Sequence, residues 1–242
     1  MVERLSRIIK ASNNIVFFGG AGVSTESGIP DFRSSAGIYS KKTYPFPAEI
    51  MISSNFFYAH PKQFYDFYVH EMIYPDAQPN EAHVALAKLE KMDKVKAVIT
   101  QNIDGLHQMA GSKEVLELHG SIHRNRCVGC HAFYDLAHMP YGSDHVPVCE
   151  SCGQIVKPEV VLYGESLDQD VMHRAIAWIE QADVLIIGGT SLVVYPAAGL
   201  IQYFHGSHLV LINRSQTSMD DQADIVIHDS IGKVMSSVIS AM

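Results

Sequence analysis

A chain of 242 residues, 47% hydrophobic and 18% charged, can bury one substantial core and carry a small satellite module, and that balance excludes a disordered protein. The formal net charge of -8 argues against general attraction to nucleic acid or anionic membrane, so neither is expected as a partner. The N-terminal residues alternate charge and apolar character without the uninterrupted apolar run of a secretory signal, which points to the cytoplasm.

In chain order, the pattern predicts a helix over Val2–Ser12 and a strand at Ile15–Phe18, followed by a glycine-rich turn. A helix over Asn80–Lys91, opened by Pro79-Asn80, leads into strands at Val95–Thr100, Val115–Leu118 and Glu159–Leu162. A helix over Gln169–Gln181 begins after Asp168, then come strand Val184–Ile187, helix Tyr195–Tyr203, strands Leu209–Ile212 and Ile225–Ile227, and helix Gly232–Ala241. The stretch Val184–Ile201 lacks charge, but Gly188-Gly189-Thr190-Ser191 and Pro196 divide it into strand, loop and helix start rather than a membrane span. Most of the strands are apolar on both faces. Such strands alternating with helices imply a Rossmann-like, doubly wound α/β fold with a mostly parallel sheet.

Two insertions interrupt the alternation, so the main domain is expected over 1–34, 76–119 and 159–242. Residues 35–75 are rich in Tyr and Phe and read as a short helical cover; residues 120–158 contain all four cysteines. Both are expected to pack directly on the main domain. Cys127-x2-Cys130 and Cys149-x2-Cys152 are two knuckles separated by 18 residues, a spacing that presents four thiolates to one structural zinc ion in a zinc-ribbon module. Redox chemistry and plain core packing are the competing readings of the same four residues.

Compact glycine or polar clusters follow the strands: Gly19–Thr25, Gln101–Asp104, His119-Gly120, Gly188–Ser191 and Asn213–Ser215. Each alone is ordinary turn chemistry. Together they fall on one rim, because the carboxyl ends of parallel strands share one side of the sheet and ligands bind in the crevice there. Gly20-Ala21-Gly22 permits close approach of backbone N–H groups to a pyrophosphate. The third glycine of the dehydrogenase fingerprint is replaced by Thr25, and no acidic residue ends a second strand, so hydride transfer is disfavoured.

The fourteen residues Gly20–Arg33 resemble the signature of the sirtuins. The likeness continues through Thr100–His107, Glu117–Gly120, the cysteine quartet, Tyr163-Gly164-Glu165 and Gly189–Pro196, in the family's order and over nearly the whole chain. It implies an NAD-dependent protein-lysine deacylase, most simply a deacetylase, that moves the acyl group of lysine to ADP-ribose and releases nicotinamide. It further implies that Gly20, Ala21, Gly22, Thr25, Asp31, Phe32 and Arg33 form the cofactor loop. Gln101, Gly189, Thr190, Ser191, Asn213 and Arg214 then contact ribose, phosphate or adenine, as does Ser230 or Ile231 near the C-terminus. By the same resemblance Ile103 and Asp104 line the nicotinamide pocket, Asn102 and Ser24 order water, and His119 is the catalytic base, an imidazole suited to taking a proton from a ribose hydroxyl.

The resemblance also implies that the acyl-lysine protein or peptide lies as an added strand between Val161, Leu162, Tyr163 and Gly164 on one side and Val193 and Tyr195 on the other. A Tyr-x-x-Arg pair accompanies removal of acidic acyl groups in the family and is absent from this sequence. The corresponding segment, placed at Phe56–Pro61, has no arginine, which favours a neutral acyl group. Two positions depart from the family's habit: Gly19 stands where Thr is common, and Tyr163 where Phe is usual. Two rival readings keep NAD: ADP-ribosyl transfer or NAD hydrolysis at the same activated ribose, and a catalytically silent NAD-sensing zinc module. A monomer is expected.

Overall fold

The computed structural model describes residues 1–41, 43–142 and 144–242. In chain order its strands are β1 (Ile15–Gly19), β2 (Val95–Thr100), β3 (Val115–Glu117), β4 (Gly120–Cys127), β5 (Phe133–Tyr134), β6 (Val156–Val160), β7 (Val184–Gly188), β8 (His208–Ile212) and β9 (Ile225–Ile227). The α-helices are α1 (Val2–Ala11), α2 (Ala48–Met51), α3 (Ser54–Ala59), α4 (Pro61–Glu71), α5 (Glu81–Lys91), α6 (Leu106–Ala110), α7 (Gln169–Gln181) and α8 (Ile231–Ser240).

Six strands form one sheet in the order β3-β2-β1-β7-β8-β9, and every neighbouring pair is parallel. Strand alternation divides the apolar payload between two faces. Ile15 and Phe17 point to one side, where Leu5 and Ile9 of α1, Leu86 and Leu89 of α5 and Val234 and Val238 of α8 cover them. Val16 and Phe18 point to the other, against Ala175 and Ile179 of α7 and Leu200 and Ile201 of a 3-10 helix over Ala197–Tyr203. The helix expected at Tyr195–Tyr203 is thus a shorter 3-10 segment.

A second sheet is small and antiparallel, in the order β5-β4-β6. This corrects the strand expected at Glu159–Leu162: it lies at Val156–Val160 and pairs with β4, outside the parallel sheet. Pro158 lacks an N–H to donate, and an edge strand accommodates that loss where a central strand would not. The two insertions also pack on one another. Phe57, Phe64 and Tyr68 of the aromatic helices share one buried core with Cys127, Cys149 and Val156 of the cysteine module. The two insertions therefore stabilise each other. No helix among the described residues is long and apolar enough to cross a membrane.

Candidate active site

The chain steps outward from β1 to β2 and β3, then returns to β7 on the opposite flank, so the strand order reverses between β1 and β7. Both strands end there in glycine turns. The Gly20 N–H donates to the Gly188 carbonyl at 3.2 Å and the Gly22 N–H to the Gly189 carbonyl at 2.7 Å. A side chain at Gly22 would place its Cβ 2.8 Å from the Gly189 Cα, and Gly189 itself holds φ +58°. Glycine at both turns is what lets them touch. Beside them opens a crevice of about 800 Å³, a volume suited to a dinucleotide-sized ligand.

Hydrogen bonds among the chain's own groups fix the crevice wall. Asn102 Nδ2 donates to Ser24 Oγ at 3.0 Å, and that hydroxyl donates to Asp104 Oδ2 at 2.6 Å. The other carboxylate oxygen of Asp104 accepts the Leu106 N–H at 2.9 Å. Gln101 Nε2 reaches Thr190 Oγ1 at 3.2 Å, and the Gln101 carbonyl lies 3.0 Å from His119 Nδ1. A carbonyl only accepts, so Nδ1 carries the proton and Nε2 of the neutral ring is left as the proton acceptor. Burial lowers the His119 pKa below the ordinary value, against the opposing pull of the Gln101 carbonyl, so the ring is neutral at pH 7.

The placement of His119 depends on its neighbour. Gly120 has φ +75°, and a Cβ there would lie 1.8 Å from the Glu159 carbonyl oxygen, so only glycine lets β4 leave the crevice against β6. The His119 carbonyl accepts the Val161 N–H at 2.9 Å, which ties the histidine to the expected peptide segment. That segment is more occupied than anticipated: Leu162 N–H donates to Glu165 Oε2 and Tyr163 N–H to the Ile52 carbonyl. The carbonyls of Leu162 and Tyr163 are engaged too, by the N–H groups of Glu165 and Ser54.

Over the crevice lies the loop that follows Pro30. Asp31 Oδ1 accepts the N–H groups of Arg33 and Ser34 at 3.0 and 2.7 Å, which folds the loop back on itself. The inner wall comes from α4 and its continuation, through Tyr68, Glu71, Met72 and Tyr74, together with Ile38, Tyr39 and Ile52. Glu71 is buried, bonded to Lys41, and accepts the Tyr44 hydroxyl at 3.0 Å. The acyl-pocket segment placed at Phe56–Pro61 is corrected by this arrangement, since none of those residues lines the crevice. Helical spacing carries the missed signal: Tyr68, Glu71 and Met72 share one face of α4 and its end.

Away from the crevice, the sulfur atoms of Cys127, Cys130, Cys149 and Cys152 all lie within 4.8 Å of one another. The Cys127–Cys152 and Cys130–Cys149 separations are 3.3 and 3.5 Å. Thiolates around zinc at about 2.3 Å would stand roughly 3.8 Å apart, so the donor set fits that ion with a small expansion. The Tyr134 hydroxyl brings the Cys149 thiol down to about 6, and the Cys130 N–H lowers Cys127. Cys130 receives the Ala132 N–H, yet the crowding sulfurs of Cys152 and Cys149 push it up to about 12. Four thiols this close cannot all ionise without a cation among them.

With this geometry in hand, known proteins supply the context. The sequence profile of the Sir2 family matches residues 20–196. The chain belongs to the Sir2 family. An NAD-dependent protein deacetylase of Clostridium perfringens (strain 13 / Type A) is 61% identical over 240 residues, covering 98% of each chain. A Sir2 variant solved with a deacetylated p53 peptide and 3'-O-acetyl ADP ribose superposes with a TM-score of 0.91 at 40% identity, over 99% of this chain and 98% of that one. A Sir2 bound to a propionylated peptide gives 0.88 at 39% identity, over 99% and 98%.

Within this Sir2-family fold, residues expected on sequence grounds meet along one crevice. Gly20, Ala21, Gly22, Thr25, Asp31, Phe32, Arg33, Gln101, Asn102, Ile103, Asp104, His119, Gly189, Thr190, Ser191, Asn213, Arg214 and Ile231 all line it. Ser230 does not; it caps α8 between two residues that do, Asp229 and Ile231. On the expected peptide side, Val161, Leu162, Tyr163, Gly164 and Tyr195 line the crevice, whereas Val193 turns outward and Val194 takes its place. None of the four cysteines reaches it.

Proposed function

We propose that the chain removes acyl groups, acetyl foremost, from protein lysines in an NAD-dependent reaction yielding nicotinamide and O-acyl-ADP-ribose. The observation that supports this most strongly is the meeting, at one topological switch point, of the glycine turns, the Asn102–Ser24–Asp104 chain and a neutral His119 with Nε2 free to accept. When bound, NAD supplies a ribose carbon whose nicotinamide substituent can leave and whose hydroxyls can receive the acyl group.

The chain's own residues have separable tasks. The turns at Gly20, Gly22 and Gly189, held together because none carries a Cβ, offer a crevice edge for a pyrophosphate, and Arg33 and Arg214 bring positive charge to the crevice lining. Thr190, Ser191 and Asn213 offer hydrogen bonds to ribose and adenine. Asp104, already held by Ser24 and the Leu106 N–H, presents a fixed carboxylate beside Ile103 where a carboxamide would sit. His119 Nε2 accepts a proton from a ribose hydroxyl, and the Gln101 carbonyl, bonded to Nδ1, fixes the tautomer and steadies the charged ring that results. Phe32 and the loop around it cover the crevice and exclude water. The peptide lies across Val161–Gly164 and Val194-Tyr195.

Zinc is assigned to Cys127, Cys130, Cys149 and Cys152 as a structural ion, because four thiolates leave no open position for substrate. Every group named comes from one chain, so a monomer suffices for the reaction. Glu71 on the inner wall, already paired with Lys41, offers no free cation to the carboxylate of an acidic acyl group, which favours a neutral one. The test compares acetyl-lysine and succinyl-lysine versions of one peptide with and without NAD. Turnover should require NAD and be at least about 10-fold faster for the acetyl peptide, a margin equivalent to one modest charge contact. NAD-independent turnover would overturn the reaction class, and faster removal of succinyl would overturn the acyl preference.

A further inference from the structure

Tyr39 belongs to the cofactor loop by every contact it makes there. Its N–H donates to the Phe32 carbonyl at 2.9 Å, its ring meets that of Phe32 edge-on at 5.4 Å, and the Arg33 guanidinium lies 5.2 Å above it. Tyr163 belongs instead to the peptide-binding segment and sits on a firm base. Its N–H donates to the Ile52 carbonyl and its carbonyl accepts the Ser54 N–H, both at 3.0 Å. The two side chains meet across the crevice mouth, with their hydroxyl oxygens 2.7 Å apart. Phenylalanine, the residue usual in the family at the position of Tyr163, could not make this contact.

We propose that the Tyr39–Tyr163 hydroxyl pair is a latch through which the peptide-binding segment holds the cofactor loop closed, so that Tyr163 is a positioning residue coupling the binding of the two substrates. The inference rests on the NAD and acyl-lysine reading above. Tyr163 is 41% exposed, so water competes for its hydroxyl and the latch is reversible. A peptide seated against Val161–Gly164 displaces that water and strengthens the bond, which biases the loop carrying Phe32 and Arg33 toward closure. Thermodynamic linkage requires the converse: a ligand that closes the loop must tighten peptide binding by the same factor. One hydrogen bond of this kind sets that factor at roughly 2- to 10-fold.

The experiment measures acetyl-lysine peptide affinity by calorimetry, with and without saturating ADP-ribose, which allows no turnover. Wild type, Tyr163→Phe, Tyr39→Phe and the double variant are compared. The wild type should bind peptide more tightly with ADP-ribose present, and each single variant should lose about 2- to 10-fold of that enhancement. Because Tyr163 lies in the peptide-binding segment, the enhancement is read for each variant as the ratio of its own affinities with and without ADP-ribose, a ratio that a merely structural change in peptide binding would not move. The double variant should lose no more than either single one. Unchanged enhancement in Tyr163→Phe, additive losses in the double variant, or no enhancement in wild type would overturn the latch. Deacetylation by the wild type, assayed in parallel, distinguishes those outcomes from failure of the functional reading.

Discussion

The crevice and the cysteine module are organised by opposite means. The crevice draws its groups from distant parts of the chain, yet they satisfy one another: Asn102, Ser24 and Asp104 bond in series, and Gln101 holds His119. The module draws its groups from two local knuckles, yet its sulfur atoms crowd together, with the Gly129 and Cys130 N–H groups and the Tyr134 hydroxyl around them. One site is complete as protein; the other, on the zinc assignment proposed above, is completed by a cation. Loss of a crevice group should therefore harm chemistry and spare the fold, whereas loss of a sulfur should do the reverse.

The largest expected effect is on the module. Stripping zinc with a strong chelator, or replacing Cys127 by Ala, should destabilise the chain by several kcal/mol, read as a fall in thermal midpoint. Because the module shares its core with the aromatic helices, tyrosine fluorescence from Tyr65 and Tyr68 should change in the same transition. Metal analysis should find one zinc per folded chain. Folded, active protein without zinc would erase the contrast.

His119→Ala is the matching change in the crevice. It should lower deacetylation by about 10²- to 10⁴-fold, the range for a lost general base, while the thermal midpoint moves little. In the wild type, the acid limb of the pH–rate profile should lie below the ordinary histidine value, since burial lowers the His119 pKa. Near-normal turnover in the variant would remove His119 from the chemistry.

A smaller effect sharpens the comparison from beneath the crevice floor. His83 and His107 are buried with ring centroids 4.6 Å apart, and His107 also packs on Phe17. Burial pushes His83 down to about 4, against the pull of Asp104 and Glu26, and burial with the nearby His83 pushes His107 well below its ordinary value. Both rings fold neutral while the unfolded chain protonates near 6.5, so their contribution is fully present above that pH. Stability should fall by roughly 1–3 kcal/mol as the pH drops from about 6.5 toward 4. Urea denaturation of His107→Leu should show a shallower decline over that interval, and an identical decline would rule this pair out as its source.

Much of the rim was readable because parallel strands deliver their C-terminal turns to one side, so post-strand clusters at Gly20, Gln101, His119, Gly189 and Asn213 had to converge. The cysteine spacing was readable for the opposite reason, that its geometry is local. β4 escaped notice because its His123, Arg124 and Arg126 look like loop, although they sit on an antiparallel strand with polar partners. β6 was placed in the wrong sheet because apolar runs do not reveal their pairing partner. With no Tyr-x-x-Arg pair in the sequence to mark the acyl pocket, its correspondence to Phe56–Pro61 has no anchor, and it is Tyr68 and Glu71 of α4 that line the crevice. Tyr39 and Tyr163 lie 124 positions apart, and nothing in the order of residues announces that they touch.

The most direct test of the account is the stoichiometry of products when the protein is incubated with NAD and an acetyl-lysine peptide and the mixture is weighed by mass spectrometry. The account predicts free-lysine peptide, nicotinamide and O-acetyl-ADP-ribose in equal amounts. Nicotinamide released with the acetyl group still on the peptide, or ADP-ribose retained on protein, would contradict it.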